Sequence, residues 1–173
     1  MVSWFAAAWW SQRTITRPAA RREVLYRALT MLGAVLMFSG GSSRSISWQP
    51  GAGIAWLLVA VTAMGFAFTW WARLHLGRLW SSSVTRKEHH HVVDTGPYAV
   101  VRHPIYTGLL LAIAATMLER ITPATIAGAT VMAVGIYVKA RVEEAFLRDE
   151  LGEAYAAYAR RVPMLVPFPR FSS

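Results

Sequence analysis

The feature that most restricts the fold of this chain is a run of nineteen uncharged residues from Ile54 to Ala72, rich in Leu, Val, Ala and aromatic side chains. A helix needs about 20 apolar residues to cross the hydrocarbon core of a bilayer. Trp70 and Trp71 end the run, where aromatic rings suit the membrane–water interface. Three more uncharged runs occupy residues 28–43, 104–118 and 121–138. The sequence therefore predicts an all-α integral membrane protein with about four transmembrane helices.

The composition supports the same class of protein. Of the 173 residues 55% are hydrophobic, and the mean hydropathy of +0.35 is high for a soluble domain of this size. The net charge of +9 suits either nucleic acid or an anionic membrane surface. The long uncharged runs between the basic clusters favour membrane lipids over nucleic acid as partners. Because the chain has no cysteine, a disulfide, a thiol nucleophile and a cysteine metal site are excluded.

We expect a single membrane domain, residues 1–173, made of four parts. These are an interfacial N-terminal segment (1–23), the first two spans (24–72), a polar cytoplasmic loop (73–103), and a helical hairpin followed by a C-terminal catalytic helix (104–173). The first part has aromatic side chains followed by arginines, a pattern typical of the membrane interface. Within the loop, residues 80–84 and 91–93 are candidates for short strands.

The third and fourth uncharged runs are separated only by Glu119 and Arg120, so we expect them to form a helical hairpin, with Thr122-Pro123 as cap and first turn of the second helix. Small residues would let their backbones approach closely. These are Gly108, Ala124, Gly128 and Gly135. From Lys139 the helical pattern becomes amphipathic, and we expect this part to lie on the membrane face and to end near Val162-Pro163.

The distribution of basic residues predicts the orientation. Sixteen Lys and Arg residues fall in the N-terminal segment, the central loop and the tail, and only Arg44 and Arg120 remain for the other side. The positive-inside rule therefore places both termini in the cytoplasm. It also places the loop and the C-terminal helix on the same face of the membrane, so residues from both can form one site.

The stretch from Gly96 to Gly108 passes from the polar loop into an apolar run and contains several candidate site residues. Pro104 suits the first position of a helix, so the amides of residues 105–107 would be unpaired at a positive helix end, which can bind an anion. Arg102 and His103 come directly before it. The alternative is an ordinary membrane helix with a proline start and a snorkelling arginine.

Glu143 and Glu144 are adjacent carboxylates, and successive helical residues point about 100° apart, so at most one faces a site shared with the loop. The alternative is surface pairing at i,i+4 of Lys139 with Glu143 and of Glu144 with Arg148. Residues 89–91 are three histidines, but on an extended strand their side chains alternate, so we expect no metal site. The chain lacks the glycine-rich and serine motifs of Rossmann methyltransferases, NTPases and common hydrolases.

Three segments together resemble the signature of the isoprenylcysteine carboxyl methyltransferase (ICMT) family. They are HHVVDTGPY at residues 90–98, RHPIYTG at residues 102–108, and Glu143-Glu144 followed by Leu147, Gly152, Tyr155, Tyr158, Val162 and Pro163. Related membrane phospholipid methyltransferases share parts of it. The resemblance covers roughly residues 77–169, and the spacing makes it more specific than any one segment. Residues 1–50 contribute nothing to it.

The resemblance implies an S-adenosylmethionine-dependent methyltransferase, with S-adenosylhomocysteine as product and its active site at the cytoplasmic membrane surface. The positions that would contact the cofactor are His90, His91, Val92, Val93, Tyr98, Arg102, His103, Pro104, Ile105, Tyr106 and Glu143. The family has an arginine, one turn before this glutamate, that handles the substrate. Here the position is Lys139, a cation without the planar bidentate fork, and Arg141 is the alternative. Lys139, Arg141 and Glu143 are thus the expected catalytic residues.

The residue chemistry agrees with this interpretation. The opening amides of the Pro104 helix, with His103, could bind the cofactor carboxylate, and a glutamate could bind its amino or ribose group. A carboxylate nucleophile needs alignment but no general base, so we expect O-methylation of a lipophilic, isoprenylcysteine-like acid. One alternative is N-methylation of a phospholipid or small lipophilic amine, with His103 or Glu143 as base, and another is a non-enzymatic scaffold. An enzyme requires His103 and Glu143 to line one cavity.

Overall fold

The computed structural model describes residues 20–39, 48, 50–77 and 92–167. Within these ranges the chain is all-helical, as predicted. Its helices there are α1 (Ala20–Ser39), α2 (Ala52–Leu76), α3 (Pro97–Val100), α4 (Pro104–Glu119) and α5 (Pro123–Arg161). The first 19 residues, the candidate strand 80–84, His90 and His91 lie outside the described residues, and Val92 and Val93 are not in a strand.

Helix length and composition support a membrane protein. Two helices, α2 with 25 residues and α5 with 39, are long and apolar enough to cross a bilayer, whereas α4 has 16 residues. The expected count of four spans therefore stays a prediction. At 1.5 Å per residue α5 is ~58 Å long, about twice the hydrocarbon thickness. The fourth uncharged run and the amphipathic tail helix are thus one element, which breaks at Gly152 (φ +52°) and ends at Arg161.

The glycines of the apolar helices join pairs of helices other than the predicted pair. The most extensive contacts are between α1 and α5 and between α2 and α4, while α4 and α5 touch much less. A Cβ on Gly108 would lie 2.5 Å from the Gly65 oxygen in α2, and one on Gly128 would lie 2.7 Å from the Gly33 oxygen in α1. The prediction that these glycines bring α4 and α5 together is wrong, because a small residue permits close approach without selecting the neighbour.

Proline and threonine define the starts of the two helices that carry the site. Pro104 is the first residue of α4, as predicted. Thr122 caps α5, since its Oγ1 accepts a hydrogen bond from the Thr125 amide at 3.1 Å while Thr125 Oγ1 accepts one from the Thr122 amide at 2.9 Å. Pro123 follows at the first helical position. The predicted cap and first turn of α5 are therefore confirmed.

The segment that leads into α4 is held against the end of α2. His75 Nε2 lies 2.9 Å from Thr95 Oγ1, and the His75 ring stacks on Tyr98 with 6.3 Å between centroids. Gly96 has a φ of +56°, and a Cβ there would lie 2.7 Å from the His75 ring. Only glycine fits both the backbone angle and the close contact. This turn directs α3 and the following residues towards α5.

Candidate active site

His103 lies at the centre of a buried cluster where the start of α4 meets α5. It is the N-cap residue of α4 and is 6% exposed. Its Nδ1 lies 3.5 Å from Glu143 Oε2, its Nε2 lies 3.5 Å from Glu144 Oε1, and its ring stacks on Tyr106 with centroids 5.5 Å apart. His103 and Glu143 are thus neighbours, but neither is among the residues that line the adjacent apolar cavity, so the condition that both line one cavity stays a prediction.

The two carboxylates determine the charge of the histidine. Burial lowers the pKa of the His103 imidazole, but its contacts with Glu143 and Glu144 and their negative charges raise it by more. The pKa of His103 therefore lies above its usual value of 6.5. The ring carries positive charge further into the neutral range than an ordinary histidine does.

Glu143 faces α4 and the aromatic side chains. Tyr106 donates its hydroxyl hydrogen to Glu143 Oε1 at 2.5 Å. One turn earlier on α5, the Lys139 ammonium lies 5.3 Å from the centroid of the Tyr106 ring and 5.6 Å from that of Tyr26. Lys139 is therefore held between two aromatic faces, one from α4 and one from α1. Tyr26 lies outside the stretch that carries the family resemblance, and no local motif identifies it in advance.

Glu144 joins the loop to α5 and also lies beside His103, so the expectation that at most one of the two glutamates faces the loop is wrong. Arg102 donates Nε–H to Glu144 Oε1 at 2.7 Å, and its Nη1 donates to the carbonyl oxygens of Ala159 at 2.8 Å and Val162 at 2.5 Å. Arg148 Nη2 also approaches Glu144, at 3.5 Å, as in the surface-pairing alternative. Burial raises the pKa of Glu144, but His103 and Arg102 outweigh it and lower this pKa to about 2.

The segment after α5 passes alongside the start of α4. The amides of Arg102 and His103 donate to the carbonyl oxygens of Pro163 at 2.9 Å and Met164 at 3.1 Å, and Thr107 Oγ1 donates to that of Leu165 at 2.7 Å. The Thr107 amide donates to the His103 oxygen at 3.0 Å. The expectation that this amide is unpaired is therefore wrong, because the carbonyl of an N-cap residue already accepts the first intrahelical bond.

Four other predicted cofactor residues lie along the segment that leads into α4 or in its first turn. Val92 packs on a cluster that contains Tyr155 and Tyr158 of α5, and the Tyr158 hydroxyl donates to the Tyr98 carbonyl at 2.7 Å. Burial raises the pKa of the Tyr98 phenol, so it stays neutral and can only serve as a hydroxyl donor or acceptor. Pro104 and Ile105 form the first turn of α4 beside His103. Val92 and Tyr98 thus contact the last turns of α5, whereas residues 102–106 lie at the start of α4.

A cavity of about 560 Å³ opens next to this cluster, between α1, α4 and α5. Its polar end is formed by Tyr26, Arg27, Tyr106 and Lys139. The remaining walls are almost entirely apolar. They comprise Met31, Met37, Phe38, Phe66, Leu109, Ala112, Ile113, Met132 and Ile136, with the threonines Thr30 and Thr116. Of the two cations proposed to replace the family arginine, Lys139 lines this cavity, whereas Arg141 is exposed and is not among its lining residues.

These features define a helical membrane protein with a buried, charged site beside an apolar cavity. Residues 56–149 match the isoprenylcysteine carboxyl methyltransferase (ICMT) family, and the chain belongs to this family of methyltransferases. The predicted family membership is therefore confirmed. Since the match begins at residue 56, α1 and its contribution to the cavity lie before it.

Several curated proteins are similar to this chain. Protein-S-isoprenylcysteine O-methyltransferase B of Arabidopsis thaliana is 37% identical over 86 residues, which are 49% of this chain and 44% of that protein. Methanethiol S-methyltransferase 2 of Bradyrhizobium diazoefficiens is 32% identical over 178 aligned positions, covering 92% of this chain and 63% of that protein. The cobalt-zinc-cadmium resistance protein CzcN of Cupriavidus metallidurans is 31% identical over 147 residues, 83% of this chain and 61% of that protein. The chain thus spans about half to two thirds of the length of these relatives.

Proposed function

We propose that this protein is an S-adenosylmethionine-dependent methyltransferase of the membrane, with the cofactor at the His103 cluster and the methyl acceptor in the adjacent cavity. The observation that carries the proposal is the contact of Glu143 with both His103 and Tyr106, directly beside the polar end of an apolar cavity. A buried ionisable group in a cleft with a perturbed pKa is a candidate functional site. We further propose that both termini and this site are cytoplasmic, following the distribution of basic residues.

The residues of the cluster fit S-adenosylmethionine. His103 Nε2 and the Tyr155 hydroxyl are buried polar atoms without a hydrogen-bond partner, and a buried polar atom of this kind is stabilised by a polar ligand group. Glu143 could bind an ammonium or ribose hydroxyl, and the aromatic faces of Tyr98 and Tyr106 suit a cationic sulfonium. The bound cofactor would supply an electrophilic methyl group.

The protein residues would align the acceptor and exclude water. Lys139 can hold an anionic nucleophile by charge, and the apolar walls keep the site dry, so that charge attraction acts at low dielectric. A carboxylate acceptor is already ionised and needs no general base, whereas a thiol would first have to lose its proton to solvent and react as the thiolate. His103 is held by burial and by stacking on Tyr106, and Glu143 by the hydrogen bond from the Tyr106 hydroxyl.

The acceptor is proposed to be a lipophilic anion, and in the first place an isoprenylcysteine-like carboxylate. A thiolate is the second candidate, because the Lys139 ammonium is a point charge and lacks the bidentate geometry with which arginine binds a carboxylate. In addition, two relatives whose alignments cover 94% and 92% of this chain are named methanethiol S-methyltransferases. A protonated amine fits less well, since the Lys139 ammonium lies at the polar end of the cavity. Among the proposed acceptors, an amine or a phospholipid therefore ranks below the carboxylate and the thiolate.

Two measurements test the proposal. S-Adenosylhomocysteine should raise the melting temperature of the detergent-solubilised protein, because a ligand that binds the native state stabilises it. Transfer of a labelled methyl group should then be measured with a farnesylcysteine analogue, a long-chain thiol and phosphatidylethanolamine. Glu143→Gln should abolish both the melting shift and the transfer, while Glu153→Gln, at an exposed position of the same helix, should preserve them. A wild-type protein with neither response would be a scaffold.

A further inference from the structure

Tyr26 is a buried aromatic residue of α1 that the catalytic cluster does not use. It is 3% exposed and lines the polar end of the cavity. Its hydroxyl has no partner at hydrogen-bond geometry, and the neighbouring Arg27 side chain pairs with Glu23. Buried hydroxyls are normally hydrogen-bonded, so an unpartnered one in a cavity wall indicates a place for a ligand atom.

The groups around Tyr26 specify what that ligand atom would be. The Lys139 ammonium lies 5.6 Å from the centroid of the Tyr26 ring, and Arg27 lines the same end of the cavity. An ammonium and a guanidinium can only donate hydrogen bonds, and a tyrosine hydroxyl can donate one. Arg27 already pairs with Glu23 at 2.5 Å. Lys139 therefore supplies the positive charge and the Tyr26 hydroxyl the hydrogen-bond donor, which together suit an anionic oxygen or sulfur.

The position of Tyr106 indicates where the nucleophile would lie. Tyr106 lines the same polar end and donates to Glu143, which contacts His103. An acceptor atom between Tyr26 and Lys139 would thus lie on the cavity side of Tyr106, with the proposed cofactor residues on its other side. This is the arrangement in which an acceptor meets a methyl donor.

The rest of the cavity fits a single apolar chain. Its wall in α1 extends from Tyr26 to Phe38, thirteen residues that span about 18 Å of helix. Leu109 to Thr116 of α4 line it as well. A one-carbon thiol would leave most of the 560 Å³ empty, whereas an unbranched chain of about a dozen carbons would cover the apolar lining.

We propose that Tyr26 is an acceptor-positioning residue: with Lys139 it binds the anionic head of a single-chain amphiphile whose chain lies along α1. This inference rests on the proposed methyltransferase function. It assigns a role in acceptor selection to a helix that precedes the family match at residues 56–149.

The test is Tyr26→Phe, which removes a hydroxyl that has no protein partner, with Tyr137→Phe as the control at a 47% exposed position of α5. Methyl transfer is measured against dodecanoate, dodecanethiol and methanethiol. For the twelve-carbon acceptor that the wild type prefers, Tyr26→Phe should raise KM by roughly tenfold or more, because the variant loses a hydrogen bond to a charged group. The melting shift with S-adenosylhomocysteine should not change, and Tyr137→Phe should match the wild type.

Three results would overturn the inference while leaving the proposed function intact. The first is an unchanged KM in Tyr26→Phe, and the second is a wild-type KM for methanethiol as low as that for dodecanethiol. The third is a wild-type protein that is stabilised by S-adenosylhomocysteine but methylates no twelve-carbon acceptor. Absence of that stabilisation would instead refute the proposed function, and the inference with it.

Discussion

Arg102 and Glu144 form a buried ion pair that joins residues 42 positions apart, with Nε donating to Oε1 at 2.7 Å. Their side chains are 5% and 7% exposed. Arg102 also donates to two carbonyl oxygens at the end of α5, so one guanidinium fastens the loop, the helix and the following segment together. Arg102 is a predicted cofactor residue, and these contacts give it a structural role as well.

Removing the arginine should destabilise the protein strongly. Arg102→Met leaves the Glu144 carboxylate buried without its main partner, which typically costs about 3–5 kcal/mol. The melting temperature in detergent should therefore fall by several degrees. The control is Arg160→Met, which breaks an exposed pair with Glu153 and should cost no more than about 1 kcal/mol. Equal losses in the two variants would contradict this account of the pair.

The stability of the protein should depend on the ionisation of His103. Because the pKa of His103 is raised in the folded state, protonation stabilises the fold below pH 6.5, and this contribution disappears as the pH rises through the folded-state value. The melting temperature should fall on the alkaline side more steeply in the wild type than in His103→Gln. His75→Gln, at an exposed histidine, is the control and should keep the wild-type slope. Parallel curves for wild type and His103→Gln would argue against a charged imidazole.

Loss of the Tyr106 hydroxyl should weaken cofactor binding. Tyr106→Phe removes the donor to Glu143 Oε1 at 2.5 Å and leaves this carboxylate less firmly positioned. A hydrogen bond to a charged group contributes about 1.5–3 kcal/mol, so the Kd for S-adenosylhomocysteine should rise about tenfold or more. Calorimetry on wild type, Tyr106→Phe and the exposed control Tyr137→Phe measures this directly. A Kd equal to that of the wild type would argue against Glu143 as part of the cofactor site.

Packing of α2 on α4 should tolerate no side chain at Gly108. Gly108→Ala places a methyl group 2.5 Å from the Gly65 oxygen, so the helices must separate and the melting temperature should drop. Gly53→Ala is the matched control in α2, because nothing lies within 4 Å of its Cβ. There the change should be neutral or stabilising by up to about 1 kcal/mol. A Gly108→Ala protein as stable as the control would show that this contact is looser than described.

Local sequence signals predict where α4 and α5 begin, and longer-range patterns predict that His103 and Glu143 belong to one site. Pro104 and Thr122 act within one turn of their own position, so their roles can be predicted without knowing the fold. A shared site of His103 and Glu143 was expected from the distribution of basic residues, which places both on one membrane face, and from spaced motifs that resemble a known family.

The remaining features depend on which helices become neighbours. Gly108 and Gly128 allow close packing, but nothing next to them in the chain selects α2 or α1 as the partner. The local i,i+4 pairing of Glu144 with Arg148 can be read from the sequence and is present, whereas no local signal indicates the buried pair of Glu144 with Arg102. Tyr26 could not be predicted as a cavity residue because its neighbours Lys139 and Tyr106 are more than 75 positions away.

The side-by-side placement of Glu143 and Glu144 has a consequence for protein engineering. One carboxylate contacts the aromatic pocket and the other anchors the loop, and they are distinguished by a rotation of about 100°. Inserting or deleting one residue in the preceding turn would rotate both carboxylates away from their partners. The contact of Glu143 with Tyr106 and the pair of Glu144 with Arg102 would then be lost together. Libraries that alter acceptor preference should therefore substitute side chains in this turn and keep its length constant.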